Sequence, residues 1–261
     1  MTRPLAVVTG ASRGIGREVA VMLAAGGADL VLVGRTDDQL EVVAELVTAA
    51  GGAATTIVAD LATAAGTEHA VAELGRLPGP VAILVNNAGA AGPYGAGWEL
   101  DPLAWERMLH LNLTAPFRLC AGVVPGMIAA GFGRIVNVTS SASLEPLERT
   151  GAYSVAKAGL NMLTRQLAAE LREHAGISVV ALAPGPADTA TYAELADQPA
   201  ELVGVRGFER YRRTVAEGRL SPPRRPARVI AALAFEPTAA RSGAYVDIGD
   251  EYATRALESG S

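Results

Sequence analysis

Seven short runs of β-branched and aliphatic residues recur along this chain, and they are apolar nearly throughout rather than at every second position. They are Leu5–Val8, Leu30–Val33, Thr56–Ala59, Val81–Val85, Arg134–Val138, Ile177–Leu182 and Ala244–Ile248. A strand with one wet face alternates; a strand apolar on both sides must be covered on both. Between the runs lie longer stretches with apolar residues at helical spacing: Gly14–Ala25, Gln39–Ala50, Thr63–Leu74, about Pro102–Ala130, Tyr153–Glu173 and Arg228–Ala234. Parallel strands need a crossover, and a helix is its usual form. The pattern predicts an α/β chain, a doubly wound parallel sheet with helices on both faces.

Composition narrows the function classes. Half of the 261 residues are hydrophobic, enough for a large core, which excludes global disorder. The net charge is −5 without a basic stripe, so nucleic acid is not an expected partner. Cys120 is the single cysteine, and it lies in an apolar helical stretch, where it reads as a small hydrophobe. With His69, His110 and His174 scattered, no metal site is expected. No run of eighteen apolar residues occurs, and the first apolar run is too short for a signal peptide; a cytoplasmic protein with no membrane span is expected. No linker interrupts residues 1–261, which read as one domain. Leu195–Arg225 stands apart, with three Pro, seven Arg and no strand pattern. It reads as a mobile insertion over the site, or else as a polar surface segment.

Ligands of doubly wound sheets bind beyond the carboxyl ends of the strands. The first such end is Thr9-Gly-Ala-Ser-Arg-Gly-Ile-Gly16. Gly10, Gly14 and Gly16 permit a tight turn and close approach of a pyrophosphate to a helix N-terminus. Ser12, Arg13 and Ile15 share that turn. The second strand ends Val33-Gly34-Arg35, with no acid for a ribose 2′-hydroxyl. Arg35 and Arg13 favour a 2′-phosphate, hence NADP(H) over NAD(H), although in an arginine-rich chain both could be solvated surface residues.

The rarest residues are the most telling. Lys157 is the only lysine among 22 basic residues, and Asn86, Asn87, Asn112, Asn137 and Asn161 are the only asparagines. Tyr153 and Lys157 lie one helical turn apart on one face. An ammonium beside a phenol favours the phenolate, which suits Tyr153 to proton transfer. Ser140, after the fifth strand, could bond the same substrate oxygen.

Together these motifs resemble the short-chain dehydrogenase/reductase family. They run in order as Thr9-Gly-x-x-x-Gly-x-Gly16, Asp60-Leu61, Asn86-Asn-Ala-Gly89, Asn112, Ser140, Tyr153-x-x-x-Lys157 and Pro184-Gly-x-x-x-Thr189. The match covers about residues 5 to 190, and more weakly Gly243–Gly249. The resemblance implies a Rossmann-type fold and hydride exchange between NADP(H) and a small carbonyl or alcohol, a class that includes 3-oxoacyl compounds. It implies that Tyr153 is the acid–base, that Ser140 orients the carbonyl, and that Lys157 holds the nicotinamide ribose. Asn112 would support a water-linked proton path through a kink in its helix. Asp60 and Leu61 would meet the adenine, and Asn87, Ala88 and Gly89 would line the adenosine ribose. Pro184, Gly185, Ala187 and Thr189 would contact the nicotinamide carboxamide. A homo-oligomer, tetramer or dimer, is also implied. The departures are Pro186 and Ala187, where bulkier apolar residues are usual, and the acidic end Asp247-Ile-Gly-Asp-Glu251.

Tyr94 and Trp98 could pack on an apolar substrate or cover the sheet edge. Leu144, Leu147 and Tyr192 are candidate pocket walls. A different class of function, a sensor that binds NADP(H) without turnover, would need no proton donor, and the Ser140, Tyr153 and Lys157 set argues against it.

Overall fold

The computed structural model describes residues 3–196, 198, 206–237 and 239–258. Seven strands form one sheet: β1 (Leu5–Thr9), β2 (Asp29–Gly34), β3 (Ala54–Val58), β4 (Val81–Asn86), β5 (Gly133–Val138), β6 (Ile177–Ala183) and β7 (Tyr245–Asp247). Their order is β3-β2-β1-β4-β5-β6-β7, and every pairing is parallel. The expected doubly wound Rossmann sheet is what the chain forms.

The two-sided apolarity of the strands has a direct structural cause. Successive side chains of a strand point to opposite faces. Ala6 and Val8 of β1 therefore join one core, while Val7 joins the other; Leu30 and Leu32 of β2 part from Val31 and Val33 in the same way. The first core is closed by α1 (Gly14–Ala25), α2 (Asp37–Ala49), α9 (Arg224–Phe235) and α10 (Glu251–Glu258), through residues such as Leu23, Val43, Ile230 and Ala253. The second is closed by α3 (Ala64–Leu74), α5 (Ala115–Ala130) and α6 (Gly151–Glu170), through residues such as Ala70, Leu119, Cys120, Met127 and Leu167. Burial pushes the Cys120 thiol up to about 12, as befits a small hydrophobe rather than a nucleophile.

Three features depart from the sequence expectations. The long helix expected over Pro102–Ala130 is α4 (Pro102–Leu109), a π-helical turn (His110–Thr114) and then α5. By length and composition this run could cross a membrane, but Leu119, Cys120, Val123 and Met127 bury one face of it against the sheet. The Leu195–Arg225 segment, in which no element was expected, contains helices joined by a non-helical stretch over 217–223. It carries the end of α7 (Ala190–Ala196) and all of α8 (Arg206–Ala216), while residues 197 and 199–205 lie outside the described ones. Arginine-rich α8 has Phe208, Tyr211 and Val215 at helical spacing among its charges. Helix α10 follows β7, where no helix was expected.

One charge inside the sheet is explained by its position. Arg134 opens β5 at the end opposite the glycine turn and is 1% exposed. It donates to the carbonyls of Glu236 (2.8 Å), Gly133 (2.7 Å) and Gly176 (2.6 Å), and its guanidinium lies 4.4 Å from the Phe132 ring centre. It thereby joins β5 to the approach to β6 and the end of α9.

Candidate active site

The strand order reverses between β1 and β4, so the chains leaving these neighbours part and open a crevice. Side chains lock the two exits together. Thr9 Oγ accepts from the backbone amides of Asn87 and Ala88, both at 3.0 Å, and Asn87 Nδ2 donates to the carbonyls of Thr9 (2.9 Å) and Gly10 (3.3 Å). Gly10 has φ +63° and Gly14 φ +58°, a region that L side chains rarely enter. A Cβ on Gly10 would also stand 3.0 Å from Ala88 Cα. Gly16 serves a different end: a Cβ there would collide with the Gly10 carbonyl oxygen, so this glycine lets α1 start close beneath the turn.

Helix α6 brings Tyr153 and Lys157 to the exit of β5. Lys157 is 4% exposed, donates to the Val138 carbonyl at 2.8 Å, and lies 5.7 Å from the Tyr153 ring centre. Burial lowers its pKa from 10.5 to about 8. Ser140 caps the short 3₁₀ turn Ser141–Ser143, its Oγ accepting from the Ala142 amide at 3.2 Å. Across from them Asn112 lies in the π turn, fully buried. Its Nδ2 donates to the carbonyls of Ala90 and Met108, both at 3.2 Å, while Oδ1 has no hydrogen-bond partner. A Cβ on Gly89 would stand 2.8 Å from that oxygen and 3.5 Å from Lys157 Nζ, so the bare glycine keeps the space between them open. The extra residue of a π turn swings a side chain out of helical register, a device frequent at functional sites.

These groups face one cleft of about 1460 Å³ that runs along the strand ends. Gly10, Ser12, Arg13, Gly14, Ile15 and Arg35 line one part of it; Asp60, Leu61, Asn87, Ala88, Gly89 and Asn112 lie along its floor. Ser140, Leu144, Leu147, Tyr153 and Lys157 line the far part, with Pro184, Gly185, Ala187, Thr189 and Tyr192. Arg13 makes a loose ion pair with Glu194 of α7 at 3.7 Å, both side chains more than half exposed. Arg35 is exposed at the tip of β2. No cluster of metal-ligating side chains occurs among the described residues.

A profile of the short chain dehydrogenase family matches residues 4–200, three quarters of the chain, from the glycine turn through Ser140, Tyr153 and Lys157 to Thr189. The chain belongs to the short-chain dehydrogenase family. It is accordingly an oxidoreductase of the carbonyl and alcohol type. Among its relatives, the cis-4-hydroxycyclohexanecarboxylate dehydrogenase of Sinomonas cyclohexanicum is 37% identical, covering 95% of this chain and 96% of that one. The L-sorbose reductase of Gluconobacter frateurii, solved with NADPH and L-sorbose, superposes with a TM-score of 0.82 at 31% identity, over 94% of this chain and 95% of that one. An actinorhodin polyketide ketoreductase with NADPH gives 0.84 at 31% identity, over the same shares.

In this short-chain dehydrogenase, three residues expected at the site stand elsewhere. Gly16 faces the packing between α1 and the turn, not the cleft. Tyr94 and Trp98 do not line the cleft either. Tyr94 is half-buried in the loop after β4, and Trp98 is 88% exposed. Other residues at the site went unassigned in the sequence: Glu145, Glu148, Arg213 and Arg219 line the cleft. They come from loops and from α8, whose charge pattern looks like any solvated surface. Asn86, Asn137 and Asn161 support the site from behind, and the scarcity of asparagine was their signal. Asn86 donates to Asn137 Oδ1 (2.8 Å), Asn137 to Thr164 Oγ (2.9 Å), and Asn161 to Ser143 Oγ (2.7 Å).

Proposed function

We propose that this enzyme interconverts a carbonyl and an alcohol with NADP(H), and that Tyr153 is its acid–base. The observation that carries the reading is the buried Lys157 ammonium, held between the Val138 carbonyl and the Tyr153 ring in a cleft that Ser140 also lines. A buried ammonium next to a phenol favours the phenolate, so Tyr153 can give up a proton or take one back near neutral pH. Ser140 Oγ stabilises the oxygen that gains charge as the carbonyl is reduced. Asn112 and Lys157 flank the open space beside Gly89, where a water can return the proton to Tyr153. When bound, the nicotinamide supplies or accepts the hydride.

The cradle fits a dinucleotide. Its positive-φ glycines leave the turn after β1 bare, and no acid stands at the tip of β2. Arg35 and Arg13 would hold a 2′-phosphate, with Asp60 and Leu61 at the adenine and Asn87, Ala88 and Gly89 along the ribose. Pro184, Gly185, Ala187 and Thr189 would hold the carboxamide, and Lys157 the nicotinamide ribose. The NADPH in the sorbose reductase and ketoreductase structures supports this preference.

Leu144, Leu147 and Tyr192 form the substrate wall in this reading, and the segment over residues 190–225 covers it. The substrate is a ketone or secondary alcohol with an apolar body, acted on in the cytoplasm. Phe117 on α5 and Val155 and Met162 on α6 are each at least half exposed, and this unpaired apolar area supports a homo-oligomer, a tetramer or dimer.

The test is cofactor absorbance across a panel of ketones with NADPH and alcohols with NADP⁺, run beside Tyr153→Phe. Turnover that disappears in the variant while NADPH still binds supports the reading. Turnover that survives in the variant refutes the role of Tyr153. NADPH binding without turnover of any compound would favour a sensor.

A further inference from the structure

Helix α6 carries Tyr153, Lys157, Asn161 and Thr164 on one stripe, at spacings of four, four and three. Lys157 holds the end of β5 through the Val138 carbonyl, and Thr164 holds the preceding residue by accepting from Asn137. Asn161 does something else. Its Nδ2 donates to Ser143 Oγ at 2.7 Å, and the Ser143 hydroxyl donates in turn to the Ser140 carbonyl. The Ser143 amide meets the same carbonyl at 3.0 Å.

The direction of these bonds matters. Ser143 has one hydroxyl proton, and it can give that proton to Ser140 because Asn161 approaches as a donor. Asn161 is poorly placed for stability alone. Asparagine is a weak helix former, and its Oδ1 is buried with no hydrogen-bond partner. Such an orphan costs about 1–3 kcal/mol. The loop it restrains needs support: Leu144 is 64% exposed, and Arg149 takes the left-handed φ of +63°.

We propose that Asn161 is a positioning residue which, through Ser143, sets the place of Ser140 relative to Tyr153 and Lys157 on the same helix. This rests on the reading of Ser140 and Tyr153 given above. The helix that carries the acid–base would thereby also hold the turn that carries the oxygen-binding serine.

Asn161→Asp tests it without changing side-chain volume, because a carboxylate would draw the Ser143 proton away from the Ser140 carbonyl. Ser143→Ala removes the bridge itself and leaves α6 untouched. Hydrogen exchange on the full chain should quicken about tenfold over residues 140–147 in both variants, with β5 and the body of α6 protected as before. With cyclohexanone and NADPH as probe, kcat should fall about 10-fold to 100-fold while the KM for NADPH stays put. In a Ser140→Ala background, Asn161→Asp should change kcat by less than about twofold, since the two act as one unit.

Wild-type exchange over 140–147 in both variants overturns the proposal whether or not cyclohexanone is turned over. So does a loss from Asn161→Asp that multiplies in full with Ser140→Ala. Should Ser140→Ala alone run at the wild-type rate while exchange responds as expected, the role of Ser140 fails. Asn161 would then order a loop of no catalytic consequence.

Discussion

The ammonium of Lys157 is hydrogen-bonded to the carbonyl of Val138, two residues ahead of Ser140, at 2.8 Å. This contact fixes α6 to the end of β5. It also buries most of a positively charged side chain, which lowers the Lys157 pKa from 10.5 to about 8.

That burial has a cost with a definite pH dependence. The unfolded chain holds the Lys157 proton up to its ordinary pKa, whereas the folded chain releases it near 8. Between these values the unfolded state binds more protons, so stability rises with pH; below 8 the cost is felt in full. Lys157→Met should therefore be inactive yet more stable than the parent at neutral pH, by on the order of 1–2 kcal/mol after the lost hydrogen bond is counted. Chemical denaturation at a series of pH values should show the gap narrowing above pH 8. A gap that stays constant would mean that the ammonium is better solvated than its burial indicates.

Arg35→Ala should discriminate between cofactors. A charge-assisted bond to a phosphate contributes about 1.5–3 kcal/mol, so NADPH binding should weaken about 10-fold to 100-fold and NADH binding barely change. Fluorescence titration of both cofactors measures this. Equal losses would remove the 2′-phosphate from Arg35.

Gly16→Ala is a test of packing beneath the cleft. The new methyl would meet the Gly10 carbonyl and stand 2.6 Å from Asn87 Nδ2, the two groups that clamp β1 to β4. Relief requires the turn to move, and overpacking of this kind costs about 1–3 kcal/mol. Stability and dinucleotide affinity should fall together. Unchanged affinity in a destabilised variant would show that the turn can shift without losing its cradle.

Arg134→Met separates stability from chemistry. It strips a buried donor from three carbonyls at the end of the sheet remote from the cleft. The loss should be about 1.5–3 kcal/mol, since three carbonyls lose a charged donor while Gly176 still accepts from the Gly133 amide. At temperatures where the variant remains folded, kcat should match the parent. A large fall in kcat would mean that the two ends of β5 are coupled.

The fold was largely legible from local chemistry. Leu5–Val8 and Leu30–Val33 are apolar at every position because neighbouring side chains feed two separate cores, and only a sheet covered on both sides requires that. The lone lysine and the five asparagines pointed to the site for a related reason: where composition is skewed this far, a rare side chain is kept for hydrogen bonds that its common substitute cannot make. Such requirements act over a few residues, and a sequence displays them directly.

What the sequence could not display depends on distance through space. Trp98 and Tyr94 follow the Asn86-Asn-Ala-Gly89 turn closely, yet neither lines the cleft. Helix α8 carries Arg213 to the cleft wall, a placement that its own charge pattern does not announce. Asn161 and Ser143 are eighteen residues apart and meet only because α6 folds back along β5. The sequence by itself determined the layers, the glycine turn and the presence of the Ser140, Tyr153 and Lys157 set, since spacing and side-chain type control these. Tertiary structure alone decided which loops line the cleft and which buried amide meets Ser143, since those follow from the packing of segments far apart in the chain.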